Sequence, residues 1–147
     1  MAQKLSNEGG LDILNIIYGS ATRPTAFTLR LITDANALAD SDTAASGHTA
    51  AAGGGYADKT LNLVGGSAPA ATVSAVSSIP QVAWPTVTWT FTGALTSGAT
   101  IKGYQILDAT NSKLIVEELT TNFTPANNGD TYSVTPVIQA GNGTPVA

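Results

Sequence analysis

One stretch of unbroken alternation, residues 86–92, constrains the fold more than any other part of the chain. It reads Thr-Val-Thr-Trp-Thr-Phe-Thr, so one face carries the apolar residues and the other carries only threonines. Because successive side chains of a strand point to opposite faces, this pattern predicts a strand with one buried face. A turn-rich connector at 93–98 and a second β-like run at 100–107 follow directly. This order predicts a β-hairpin.

Other segments extend the β pattern along the chain. Residues 26–33 alternate in the same way and predict the first strand. Further strands are predicted at 59–64, 72–76, 113–119 and 131–138, with a tight turn at 127–130. About seven or eight strands with long early crossovers predict an all-β fold, a single β-sandwich of jelly-roll or Greek-key type. The predicted core contains Phe27, Leu29, Leu31, Val87, Trp89, Phe91, Tyr104 and Val134.

A short helix is predicted near the N-terminus. Ser6 or Asn7 can cap it, and Gly19 would end it. Four apolar residues fall at helical spacing, namely Leu11, Leu14, Ile17 and Tyr18. The domain organisation that follows is an N-terminal arm with a short helix at 1–24 and a β-sandwich domain at 25–147, with a long loop at 34–56.

Composition excludes several classes of function. At 147 residues the chain fits one domain. The net charge is −4 and the six basic residues are scattered, so no basic footprint for nucleic acid is expected. There is no cysteine for disulfides or thiolate chemistry, and no apolar run is long enough for a membrane span or a signal peptide. Charged residues make up only 11% of the chain, which favours a surface covered by neighbours.

The side chains from which active sites are built are scarce. His48 is the only histidine, and its nearest chemical companions, Ser46 and Asp42, are near it only in sequence. We therefore expect an exposed loop histidine. Glu117 and Glu118 are adjacent on a predicted strand, so they point to opposite faces and cannot converge as an acid and a base. One of them is expected to face solvent and the other to lie at a sheet rim or a subunit contact.

The long loop also concentrates oxygen ligands at Asp34, Asn36, Asp40 and Asp42. Their spacing departs from the EF-hand pattern, so Asx-turns in an exposed loop are the simpler interpretation, and a bound cation stays open. We predict no catalytic residue, no resident metal, no cofactor and no enzymatic activity.

The order of short motifs resembles a known family. These motifs are Leu-Ser-Asn-Glu-Gly at 5–9, Leu-Arg-Leu at 29–31, Gly-Gly-Gly-Tyr-Ala at 53–57, Trp-Thr-Phe-Thr-Gly at 89–93, Ile-Lys-Gly-Tyr at 101–104, Asp-Ala-Thr at 108–110, Gly-Asp-Thr at 129–131 and Val-Thr-Pro at 134–136. Over nearly its whole length the chain is similar to small virion proteins of tailed bacteriophages. The resemblance implies a β-rich structural component without enzymatic activity, attached to either the head or the tail.

The first hypothesis is a capsid decoration, or cement, protein on the outer surface of the phage head. It would form a homotrimer, bind across major capsid subunits and stabilise the shell, without contacting nucleic acid or membrane. A free N-terminal arm and the long loop would make the contacts, with the uncharged threonine face of residues 86–92 as a further candidate. The predicted contact residues are Met1, Lys4, Leu5, Asn7, Asp40, Asp42, His48 and Tyr56.

Two alternatives stay open. A tail, neck or fibre-adaptor component would share the fold but occur in few copies. A carbohydrate-binding sandwich would use Trp84, Trp89 or Tyr56 as a stacking platform.

Overall fold

A computed structural model of the chain describes residues 3–34, 36–63, 67–76 and 79–139. This part of the chain is mostly β, with one α-helix. Its α-helix and strands in chain order are β1 (Gln3–Leu5), α1 (Asn7–Tyr18), β2 (Ala26–Ile32), β3 (Lys59–Asn62), β4 (Thr72–Val76), β5 (Ile79–Ala83), β6 (Val87–Thr92), β7 (Ile101–Asp108), β8 (Lys113–Phe123), β9 (Asn128–Val134) and β10 (Val137–Gln139), and a 3-10 turn at Thr96–Gly98 lies between β6 and β7. The prediction of a mostly β chain with one short N-terminal helix is confirmed.

The strands form three antiparallel sheets. A five-stranded sheet has the order β1-β8-β7-β2-β3, a three-stranded sheet has the order β10-β5-β4, and β6 pairs with β9. The sequence did not predict β1 or β5. Met1, one of the predicted contact residues, lies outside the described residues.

The predicted hairpin between residues 86–92 and 100–107 is wrong, although both strands exist. β6 pairs with β9, whereas β7 lies between β2 and β8 in the larger sheet. The segment after β6 does not close a tight turn, because Leu95 is buried there and the Thr96 N–H donates to the carbonyl of Ala52 at 2.8 Å. These contacts fix the segment against the long connector, so the chain passes from one sheet to another.

The hydrophobic core cluster contains residues of both the five-stranded sheet and the β6–β9 pair. Seven of the eight predicted core residues are buried, and Phe27 is half-buried against the same cluster. The alternation in β6 is reproduced residue by residue, with Val87, Trp89 and Phe91 buried between exposed threonines. Some of those threonine hydroxyls are already engaged, since Thr86 bonds to Thr135 at 2.8 Å and Thr88 bonds to Ser133 at 2.7 Å.

The helix α1 begins and ends where the sequence indicates. Ser6 caps it by accepting from the Gly9 N–H at 2.9 Å, and the N–H of Gly19 bonds back to the carbonyl of Asn15. Its buried residues are Gly9 and Asp12. Because Gly9 has no side chain, the helix backbone lies directly on β8: a Cβ there would stand 2.6 Å from the carbonyl oxygen of Ile115.

The N-terminal arm is not free, contrary to the sequence-based expectation. Gln3–Leu5 forms β1, an edge strand that pairs with β8 and places Lys4 opposite Glu117. The Asn7 N–H then donates to the carbonyl of Asp40 at 2.9 Å. A strand that can satisfy its backbone groups on an existing sheet edge has little reason to remain extended in water.

Candidate functional site

The two faces of the five-stranded sheet have different coverings. Tyr104 and Ile106 of β7 belong to the hydrophobic core. Gln105 lies between them in sequence, so it points to the opposite face, where its register partner on β8 is Glu117. Both are buried, Gln105 at 2% exposure and Glu117 at 0%. A buried carboxylate on a sheet face requires a polar covering, which the connector between β2 and β3 supplies.

This connector runs along β2 and across to the start of α1. Thr33 and Leu31 bond to its backbone at Thr49 and Ala51, over 2.9 Å and 2.8 Å. Near the opposite edge of the sheet, where α1 begins, the Ala44 N–H donates to the Glu8 carboxylate at 2.9 Å. Asp34 and residues 36–48 therefore lie over the sheet face that carries Gln105 and Glu117, and they add their own acids to it.

Four ionisable side chains meet between the connector and the sheet, and we call them the His48 cluster: Asp34, Asp42 and His48 of the connector and Glu117 of β8. The imidazole of His48 is at the centre, and its side chain is 0% exposed. Its Nδ1 lies 2.6 Å from an Asp34 oxygen, and its Nε2 lies 3.5 Å from Asp42 and 3.4 Å from Glu117.

The contact with Asp34 orients the imidazole. Asp34 also accepts from the backbone N–H groups of Thr49 and Asn36, so the carboxylate is fixed on two sides. Burial opposes ionisation of Asp34, but the N–H of Thr49 and the His48 ring outweigh it and hold its pKa below the usual range. An ionised Asp34 accepts from Nδ1–H, which leaves the lone pair of a neutral imidazole on Nε2.

Gly47 makes this placement of His48 possible. Its φ is +105°, and a Cβ at that position would stand 2.6 Å from an Asp42 carboxylate oxygen. Only glycine combines that backbone conformation with so close an approach. Asp42 is in turn held by accepting from the Ala39 N–H at 2.8 Å.

Glu117 is the most deeply buried acid of the cluster. Burial, followed by a hydrogen bond with Asp42, raises its pKa to about 7, while the Gln105 amide and His48 act in the opposite direction. Its Oε2 accepts from Gln105 at 3.4 Å. Within the described part of the chain, Glu117 Oε1 and His48 Nε2 have no hydrogen-bond partner.

The structure corrects several expectations for these residues. His48 is not an exposed loop histidine, because its side chain is 0% exposed, and the side chain of Asp42 beside it is 12% exposed. The reason is the crossing of the connector, which has no periodicity and could not be placed from sequence. The expectation that Glu117 and Glu118 point to opposite faces agrees with the structure, but Glu117 is fully buried and Glu118 accepts from the Tyr104 hydroxyl at 2.7 Å.

Sequence reasoning missed that Asp34, His48 and Glu117 meet. One signal was available: residues 114–116 are an uninterrupted apolar run, typical of a strand covered on both faces. Glu117 extends that run, so its burial and its need for partners could have been inferred.

The predicted contact residues outside the His48 cluster differ in their exposure. Leu5, Asn7 and Asp40 are exposed. Tyr56 is half-buried, stacks on Trp89 with ring centroids 6.3 Å apart, and accepts from the Leu31 N–H at 2.7 Å. Trp84 and Trp89 are each 2% exposed, so the rings offered for sugar stacking belong to the core.

A second feature lies on α1. Its outer face, defined here as Leu11, Leu14, Ile17 and Tyr18, is exposed to 61%, 54%, 61% and 84%. The helix therefore turns its apolar stripe away from its own domain. Beside this face an apolar cleft of about 310 Å³ separates α1 from the three-stranded sheet, lined by residues that include Ile13, Ile16, Val82 and Ile138.

The inner side of α1 carries a buried acid pair. Asp12 hydrogen-bonds to Asp108, and both are buried, at 5% and 0% exposure. Burial, followed by this hydrogen bond and the negative charge of Asp108, raises the pKa of Asp12 to about 6. Neighbouring Glu8 behaves differently: burial is outweighed by the N–H groups of Leu114 and Ala44, so its pKa is lowered.

Comparisons with protein-family models, curated proteins and solved structures found no match. In the described ranges, α1 is too short and too polar to cross a bilayer. The His48 cluster and the α1 outer face are therefore the two features of the molecule that bear on its function.

Proposed function

We propose that this protein is a structural component of a tailed-phage particle, a decoration protein that binds major capsid subunits on the outside of the head. The observation that carries the proposal is the exposed apolar α1 outer face. In an isolated domain that stripe would be expected to face the core, yet here Gly9 and Asp12 occupy the inner side. An apolar surface held outward by the fold is typical of a protein–protein contact.

The size of the α1 outer face limits how strongly a single copy of the protein can bind. Burying a large apolar side chain contributes ~1.5–3 kcal/mol, and the four side chains are already partly covered. Association costs ~4–15 kcal/mol in lost translational and rotational freedom, so one copy of this face binds weakly. A homotrimer would present three copies at once and gain strength through effective concentration. The proposed oligomer and the proposed shell contact therefore support each other.

Low charge suits the same role. Charged residues are 11% of the chain, so contacts with neighbouring subunits desolvate few ions. The exposed threonine face of β6 offers a second uncharged surface. The stabilisation of the shell would be mass action, in which the bound protein favours the assembled state over separated subunits.

For the fold we propose a two-layer β-sandwich of jelly-roll or Greek-key type. The core cluster supports it, because it contains Leu29 and Ile106 of the five-stranded sheet together with Val87 and Val134 of the β6–β9 pair. We also propose a structural role and no catalysis. The chain's only histidine has no exposed side-chain surface, so a substrate could not reach it without opening the connector.

The experiment is to change the α1 outer face and count copies per particle. Leu11→Gln/Ile17→Gln keeps helix propensity and removes two exposed apolar side chains. Val76→Gln is the matched control, because Val76 is 53% exposed on β4 rather than on α1. Tagged variants would compete with wild type during assembly, and quantitative mass spectrometry of purified particles would give their occupancy.

We expect wild type and Val76→Gln at about the same copy number per particle, comparable to that of the major capsid protein. The double variant should be at least ~10-fold less abundant, which corresponds to a loss of ~1.4 kcal/mol or more in binding free energy. Equal occupancy of the double variant would refute the α1 contact. A few copies per particle for wild type would replace head decoration with the tail or neck alternative.

A further inference from the structure

We propose that the His48 cluster is a divalent transition-metal site, with His48 Nε2, Asp42 and Glu117 as ligands and Asp34 as the carboxylate that orients the imidazole. This inference is independent of the proposed virion role. It rests on the positions of four side chains and on two buried atoms that lack hydrogen-bond partners among the described residues.

The distances fit ligands of a shared ion better than hydrogen bonds. A charge-assisted N–H···O bond is ~2.7–2.9 Å long, whereas Nε2 lies 3.5 Å from Asp42 and 3.4 Å from Glu117. Two ligands that each lie ~2.1 Å from a tetrahedral ion stand about 3.4 Å apart. One ligand atom from each of the three residues lies within 4.8 Å of the other two.

Burial provides a second, independent observation. The His48 and Glu117 side chains are both 0% exposed, yet Nε2 and Oε1 find no hydrogen-bond partner in the described structure. Unsatisfied buried polar atoms are costly. A cation bound by Nε2 and by Glu117 Oε2, the oxygen 3.4 Å from it, would give that nitrogen a partner. Asp34 on Nδ1 completes the carboxylate–histidine–metal arrangement that fixes the tautomer of a ligating imidazole.

The donor set selects the class of ion. One imidazole and two carboxylates suit Zn²⁺, Mn²⁺ or Fe²⁺, whereas Ca²⁺ prefers six to eight oxygen ligands and does not use imidazole. The ion would be structural, because two ligands come from the connector and one from β8. Binding it would fasten the connector to the sheet at Asp42 and His48, and it would stabilise the fold by mass action.

The test uses the tag-free full chain, in which His48 is the only histidine, stripped with EDTA and titrated with Zn²⁺. Calorimetry gives stoichiometry and affinity, and ¹⁵N NMR of the imidazole reports the ligand directly. We expect one Zn²⁺ per chain, a shift of the Nε2 resonance with Nδ1 still protonated, and a rise in the unfolding midpoint of ~5–10 °C at 100-fold excess over Kd. Ca²⁺ should give none of these changes.

The variants separate ligands from neighbours. Glu117→Gln and His48→Asn should each weaken Zn²⁺ binding by at least ~100-fold, while Asp34→Asn should weaken it by ~10–100-fold. Glu118→Gln is the matched control, because that carboxylate lies on the opposite face of the same strand, and it should bind as wild type does. The proposal would be overturned if neither Zn²⁺ nor Mn²⁺ changed the imidazole resonances of the wild-type protein. It would also be overturned if Glu117→Gln bound Zn²⁺ with unchanged affinity. The NMR result on wild type decides the question even where a variant fails to fold.

Discussion

Replacing Gly9 and Gly10 with alanine, one at a time, tests how α1 is seated. Both glycines lie in the first turns of the helix, and neither has a positive φ. Helix propensity alone predicts that each alanine stabilises the protein by ~0.5–1 kcal/mol. The structure predicts opposite signs, because the two positions face different surroundings.

The magnitudes follow from the space around each glycine. A Cβ at Gly10 meets nothing within 4 Å, so Gly10→Ala should realise the full gain. A Cβ at Gly9 would lie 2.6–2.7 Å from backbone atoms of Leu114 and Ile115, which cannot rotate away. Displacing the helix from β8 costs ~1–3 kcal/mol, so Gly9→Ala should lower stability by ~0.5–2 kcal/mol.

Urea unfolding of the two variants gives the answer directly. With a slope of ~2 kcal/mol per molar urea, a difference of ~1–3 kcal/mol between the variants separates their midpoints by roughly 0.5–1.5 M, with wild type between them. The slopes themselves should agree, since neither change alters the surface exposed on unfolding. A Gly9→Ala protein as stable as Gly10→Ala would show that α1 does not lie against β8 as described.

Two further predictions concern the core and the acid pair. Trp89→Ala should lower the free energy of unfolding by ~3–5 kcal/mol in urea, because it removes a ring that is 2% exposed and leaves the Ala57 carbonyl without its indole donor. The control Thr88→Ala should lower it by under ~1 kcal/mol. Equal losses in the two variants would show that Trp89 does not belong to the core. Asp12 has a pKa of about 6 in the fold against 3.8 unfolded, so its contribution is present below pH 4 and is lost as pH rises through 6. The urea midpoint of Asp12→Asn should therefore fall less between pH 4 and 7 than the midpoint of wild type does. Midpoints that change with pH in parallel in the two proteins would contradict the raised pKa of Asp12.

Local patterns were sufficient for α1 and for most of the strands, but not for the pairing of the strands. The alternation in β6 and the cap at Ser6 depend on neighbouring residues, so the sequence contains them. The pairing of β6 with β9 depends on where the connector and Leu95 pack, which is a property of the whole fold. The same holds for the N-terminal strand β1, whose three residues carry no alternating pattern long enough to detect.

The candidate sites were harder to predict for a related reason. The His48 cluster requires a connector without periodicity to cross the sheet, and no local rule places Asp34 or His48 over Glu117. The α1 stripe was visible in sequence, but which side of the helix faces the domain is set by Gly9 and Asp12. A periodic pattern identifies an apolar face without saying whether the chain itself or another subunit covers it.

The most direct measurement is a reconstruction of the phage particle at a resolution that resolves side chains. The proposed function predicts density for this chain on the outer surface of the head, in threefold groups, with Leu11, Leu14 and Ile17 against a major capsid subunit. Density confined to the tail or neck, or a head-bound copy with the α1 outer face open to solvent, would contradict it.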